Sequence, residues 1–174
     1  MSTVLEVGTL MREECIALGI ALQHLGNFCL DNFSDRILVQ KKIYCAQMLG
    51  VDFGFSFNWY LRGPYSPGLT SLAFEAINQG PEQLSNYHLN EEVTSKLDIV
   101  NTIANDGRKM GLSEVSWLEL VASVHYLTCA ATWIKKRTKD AIWEKLHEYK
   151  PKYTQTNFEK AWETLTDYRV LPAT

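Results

Sequence analysis

Residues 55–79, FSFNWYLRGPYSPGLTSLAFEAINQ, change hydrophobic period half-way along, so a strand has to hand over to a helix within a few residues. Phe55, Phe57, Trp59 and Leu61 alternate with Ser56, Asn58, Tyr60 and Arg62, the two-residue period of a half-buried strand. Leu69, Leu72, Ala73, Ala76 and Ile77 then share one helical face. The handover falls in Gly63-Pro64-Tyr65-Ser66-Pro67 and is predicted as a turn. Gly63 tolerates a positive φ, Pro64 stiffens the bend, Ser66 can cap the next helix and Pro67 suits its first position.

Helical periodicity dominates elsewhere. A first helix is predicted over residues 9–26 with Leu10, Leu18, Ala21, Leu22 and Leu25 inward, followed by a connection over 27–35. A second, over 36–49, is apolar around most of its circumference and is expected at the centre of the fold. Lys41 falls inside its apolar arc. The ordinary account is a stem packed on apolar neighbours with its ammonium reaching water; the sharper one pairs it with a carboxylate or turn carbonyls inside the fold. Gly80-Pro81 breaks the pattern, and Asn90 caps a helix from Glu91 to about Asn105. A long helix over 113–135 places Trp117, Leu120, Val121, Val124, Leu127 and Ala131 on one wide arc, extended by Leu118, His125 and Cys129, and leaves Glu119, Ser123, Tyr126 and Ala130 on a narrow opposite face. The cations of residues 135–139 complement its negative pole.

Thr138 opens a further helix with Ile142, Trp143, Leu146 and Tyr149 inward. Thr156-x-x-Glu159 reads as the capping box of a last one with Phe158, Ala161, Trp162 and Leu165 buried, and residues 168–171 read as a short strand. The fold class is therefore mainly α (α+β): a compact helical domain with one or two short strands and a winged-helix-like helix-turn-helix element. At 174 residues the chain fits one domain, 1–174.

The net charge of -3 disfavours sequence-blind attraction to nucleic acid. No signal-peptide pattern and no apolar run of about 18 residues is seen, so a cytoplasmic protein without membrane partners is expected. Cys15, Cys29, Cys45 and Cys129 are scattered without a C-x-x-C pair, as in reduced thiols that pack the core.

The chemistry-bearing signatures are sparse. Walker, G-x-G-x-x-G, G-x-S-x-G and H-E-x-x-H motifs are absent. His125 and Cys129 stand one helical turn apart without further metal ligands near them, and a packed histidine is the favoured reading. Ser123 and His125 diverge by about 200° of helical rotation and cannot form a nucleophile and base. No catalytic residues, cofactor or metal are expected, and the protein is read as not an enzyme. Arg62 and Tyr65 are the polar candidates in the turn: either paired and packed internally, or presented to a partner from a rigid support. On the last helix Gln155, Asn157 and Lys160 have the side chains for DNA contact, but Glu163 and Asp167 continue that helix and would repel phosphate, which favours a solvated face.

Gln40-Lys41-Lys42-Ile43-Tyr44, followed by the aromatic strand and Gly63-Pro64-Tyr65-Ser66-Pro67-Gly68-Leu69, resembles the Q-K-x-(V/I)-Y and G-P-(Y/V)-S-x-x-L signature of YwgA-like proteins. More distantly it is similar to the Panacea or SocA-like antitoxin domain. Residues 117–127, WLELVASVHYL, resemble the L-E-L-x-A-S-x-H-Y-L helix of the same group, and Lys150-Pro151-Lys152-Tyr153 with Ala161 and Leu165 its K-P-x-(F/Y) ending. The similarity covers about residues 37–171 and leaves residues 10–35 unmatched. It implies a small, mainly helical, non-enzymatic cytoplasmic protein of bacterial or phage origin, whose antitoxin relatives act by binding partner proteins. The expectation that follows is a regulatory, antitoxin-like interaction module that contacts a partner protein, such as a toxin, through Arg62, Tyr65 and Ser66. The alternatives are a winged-helix-like DNA-binding regulator and a structural subunit, with a homodimer as one form, of a larger phage- or defence-related assembly.

Overall fold

The computed structural model describes residues 12–173. Eight helices and one two-stranded hairpin follow in the order α1 (Glu13–Leu25), α2 (Phe33–Met48), β1 (Asn58–Tyr60), β2 (Gly63–Tyr65), α3 (Pro67–Ile77), α4 (Pro81–Leu84), α5 (Glu91–Asp106), α6 (Glu114–Cys129), α7 (Lys139–Tyr149) and α8 (Gln155–Asp167). A 3-10 turn, Gly107–Met110, joins α5 to α6. The mainly α class is the one expected. The part of the first predicted helix that includes Leu10 lies outside the described residues. No described helix is long and apolar enough to cross a membrane.

Side-chain caps define most of the helix starts. Asn32, Ser66, Asn90, Ser113, Thr138 and Thr154 each accept a backbone N–H of the first turn that follows. Capping by Asn32 starts α2 at Phe33, three residues before the expected boundary. The last helix likewise starts earlier than predicted: Thr154 and Asn157 form the reciprocal capping box, not Thr156 and Glu159. Glu159 is instead bonded to Lys139 of α7.

Helix α6 is the centre. It packs against α2, α5, α7, α8 and β2, and Trp117, Leu118, Leu120, Val121, Ala122, Val124 and Leu127 are fully buried. The expected narrow outer face does not exist, because Glu119, Ser123 and Tyr126 are buried as well under the hairpin. The helix also ends six residues before the predicted boundary: the N–H groups of Ala130 and Ala131 converge on the Tyr126 carbonyl. Arg137 folds back to donate to the carbonyls of Leu127, Thr128 and Ala131, so a cation does meet the negative pole, from a returning loop. A second shell of packing places α1 against α3 and α5.

The predicted strand over 168–171 is absent. Arg169 is left-handed at φ 54°, its N–H bonds the Thr166 carbonyl, and Val170 N–H bonds the Leu165 carbonyl. That pair of bonds closes α8 with a Schellman motif, which turns the chain away from an extended course. The helix-turn-helix order of α7 and α8 is present, joined by the Trp143–Phe158 ring contact at 5.4 Å, but residues 168–171 form no wing after it.

Candidate functional site

The three segments that carry the resemblance meet at one place, the β1–β2 hairpin. The strand alternation holds through Phe53, Phe55, Phe57 and Trp59, all half-buried against the core, and fails at Leu61. Leu61 is 83% exposed because the chain turns there: Asn58, Trp59 and Tyr60 pair with Tyr65, Pro64 and Gly63. Gly63 and Pro64, predicted as the turn, are therefore the return strand, while Pro67 does open α3 as its first residue. Neither Leu61 nor Arg62 has a positive φ, and Gly63 at φ 82° supplies the left-handed residue that closes a hairpin of this kind.

Gly63 is required a second way. A Cβ built on it would stand 2.4 Å from Ser123 Oγ, so β2 lies directly on α6 only because the side chain is missing. Two helices then hold the hairpin with buried polar groups. On α2, the Gln40 amide clasps the Ser66 backbone, accepting from its N–H and donating to its carbonyl, both at 2.9 Å. Lys41 is 1% exposed and donates to the Pro64 carbonyl at 2.6 Å, so the sharper reading of this lysine is the correct one. On α6, Glu119 is also 1% exposed. Its Oε1 accepts from Lys150 Nζ at 2.8 Å and faces Lys152 Nζ at 3.1 Å, and its Oε2 accepts from Arg62 at 3.3 Å. Lys150 also donates to the Leu61 carbonyl at 3.0 Å, which ties the turn to the start of the α7–α8 break.

The electrostatics follow from four cations gathered round one carboxylate. Burial pushes the Lys41 ammonium down to about 7; Glu119 opposes this and Lys150 adds to it. Burial also works against ionisation of Glu119, but hydrogen bonds and charge from Lys150 and Lys152 outweigh it and hold the carboxyl below its ordinary value. Lys150 is lowered by burial despite its bond to Glu119. Lys41 thus has a backbone carbonyl as its bonded partner, and the nearest carboxylate is committed to three other cations.

On the solvent side of this network lies a cavity of about 490 Å³. Phe33, Arg36 and Lys41 of α2, Tyr60 and Arg62 of the hairpin and Thr70 of α3 line it, with Leu61 at its rim. Phe33 is 57% and Tyr60 62% exposed. Tyr65 is half-buried, in tilted ring contact with Tyr60 at a centroid distance of 5.6 Å, and its hydroxyl accepts from Thr70 Oγ1 at 3.0 Å. Ser66 is 2% exposed and spends its hydroxyl on the Leu69 N–H, so of the three residues expected at a contact surface Arg62 and Tyr65 line the cavity and Ser66 lies behind it. Periodicity points to Tyr60 only as the outward side of a strand, and nothing local marks Phe33 or Arg36. Their contribution depends on α2 and the hairpin tip being neighbours.

The other candidates lie elsewhere. Asn157 is occupied by the capping box, Lys160 is paired with Glu163 at 2.7 Å, and Gln155 is exposed at the start of α8. His125 Nδ1 meets the Tyr44 hydroxyl at 2.7 Å, while burial pushes its pKa down to about 4 against an opposing contribution from the Val170 backbone. Ser123 faces Gly63 instead, in keeping with the rotation between the two positions. Comparison of the chain with protein-family models, with curated proteins and with solved structures gives no match.

Proposed function

We propose that the protein is a non-enzymatic regulatory interaction module, antitoxin-like in mode, which binds a partner protein through the hairpin face. The observation that carries this reading is the contrast between the tip and its support. Leu61, Tyr60 and Phe33 are among the most exposed large hydrophobic side chains of the described residues, and they surround a cavity on a hairpin fixed by Gln40, Lys41, Glu119 and Lys150. Exposed apolar groups on a rigid mount are what an interface core requires: little ordering is needed on binding, and apolar and aromatic anchors are available. The resemblance to antitoxin domains that act by partner binding supports the same reading.

Capture from a lysate of the source cells, with and without nuclease, tests it. Expected is a stoichiometric protein retained by the wild type after nuclease and lost with Leu61→Ser/Arg62→Ala. Retention only without nuclease would overturn the proposal in favour of nucleic acid, and self-association alone would overturn it in favour of a structural subunit.

A further inference from the structure

We infer that the occupant of the hairpin cavity is an acidic, apolar peptide segment of the partner, whose hydrophobic anchor fills the space between Phe33, Ile37 and Tyr60 while a neighbouring Asp or Glu carboxylate is held by Arg36 and Arg62. This rests on the interaction reading above and specifies the chemistry of its ligand. The cavity wall carries three basic side chains, Arg36, Lys41 and Arg62, and no carboxylate. That imbalance is a local property of a chain whose net charge is -3, so the cavity differs in sign from the molecule around it.

Each guanidinium commits one nitrogen to the contacts seen: Arg36 Nη1 to the Leu30 carbonyl at 3.2 Å, and Arg62 Nη1 to Glu119 at 3.3 Å. A guanidinium has five N–H donors in a planar fork, so both retain donors suited to a carboxylate. Lys41 adds a buried positive centre in the wall whose bonded partner is the neutral Pro64 carbonyl. An anion entering the cavity adds to the counter-charge that Glu119 supplies from behind the wall.

The apolar part of the ligand follows from the same wall. A space of about 490 Å³ bordered by Phe33, Ile37, Tyr60 and Leu61 takes an aromatic or branched aliphatic side chain. A free small acid could occupy the cavity, but it would leave Leu61, 83% exposed, and the outer faces of Tyr60 and Phe33 in water. A peptide that continues past the anchor covers them, which is why the peptide is the occupant assigned.

Selection from a phage-displayed random twelve-residue library on the intact protein tests this, with Arg36→Gln/Arg62→Gln selected in parallel. Both arginines are exposed, so the variant is expected to fold. Expected on the wild type is enrichment of peptides with Phe, Trp, Leu or Ile within two positions of Asp or Glu. The best of them, synthesised, should bind the double variant at least about tenfold more weakly, and its carboxamide analogue should lose as much on the wild type. Enrichment of basic or uncharged peptides, equal binding to the variant, or no enrichment would overturn the inference. If the lysate partner still depends on Leu61 when no acidic peptide is enriched, this inference falls and the interaction reading stands. If acidic peptides bind but no lysate protein depends on the tip, the interaction reading falls and takes the partner assignment with it, while the acidic, apolar chemistry of the cavity's ligand stands.

Discussion

Gly63→Ala is expected to lower the unfolding free energy by about 3–5 kcal/mol, the sum of a strained left-handed alanine and a forced overlap in a packed contact. The alanine methyl would meet Ser123 Oγ at 2.4 Å, and the backbone would have to keep φ at 82°. Domains of this size have roughly 5–15 kcal/mol to lose, so the variant should sit near the edge of folding. Ser123 offers a control. Its hydroxyl is buried without a hydrogen-bond partner, so Ser123→Ala alone should be neutral or slightly stabilising. Combined with Gly63→Ala it removes the overlap but not the backbone strain, and roughly 1–3 kcal/mol should return. Denaturant unfolding of the four proteins in the cycle measures the coupling; additive effects would mean that β2 does not rest on Ser123 as described.

The second large effect is expected at Glu119. Replacing it with Leu leaves Lys150, 5% exposed, and Lys41, 1% exposed, without the carboxylate that balances them, and the loss should be about 3–5 kcal/mol. Glu119→Leu/Lys150→Met should recover most of it, since removing both members of a buried pair costs far less than removing one. The pH dependence has a definite sign. The folded protein holds the Glu119 carboxyl below its ordinary value of 4.5, so the unfolded chain takes up a proton first as the solution is acidified. The stabilisation is complete above pH 4.5 and is lost as pH falls from there through the lower folded value. The wild type should therefore show a steeper acid loss than the double variant in urea unfolding between pH 6 and pH 3; equal slopes would mean that Glu119 is not held by these cations.

Much of the local structure is written in short-range patterns. The alternation from Phe55 to Trp59, the helical face beginning at Leu69, the Ser66 cap and the Asn90 cap all appear in the fold, because each depends on residues within one turn of its neighbours. The turn falls two residues before the predicted one, since Gly63-Pro64 has the composition of a turn and proline is uncommon in a strand. It is tolerated here in a two-stranded hairpin, where Pro64 lies opposite Trp59.

The site was less legible, for a reason that α6 illustrates. Glu119, Ser123 and Tyr126 have the spacing of a solvent face, and they are buried because a hairpin some 60 residues earlier lies over them. The cation that makes Glu119 acceptable there, Lys150, comes 31 positions later, and no window of helical length contains both. Lys41 posed the same problem on α2, its acceptor being the carbonyl of Pro64. Polar residues that stabilise a long-range contact carry no local mark, and the exposed residues that such a contact brings together, Phe33 with Tyr60 and Leu61, carry even less.

The most direct measurement compares unfolding free energy with partner capture on the same preparations of wild type and Tyr60→Ser/Leu61→Ser. Both side chains are mostly in solvent, at 62% and 83% exposure, so stability should change by no more than about 0.5–1 kcal/mol while capture is lost. Unchanged capture, or a fall no larger than the fall in folded protein, would contradict the assignment of the hairpin face as the binding surface.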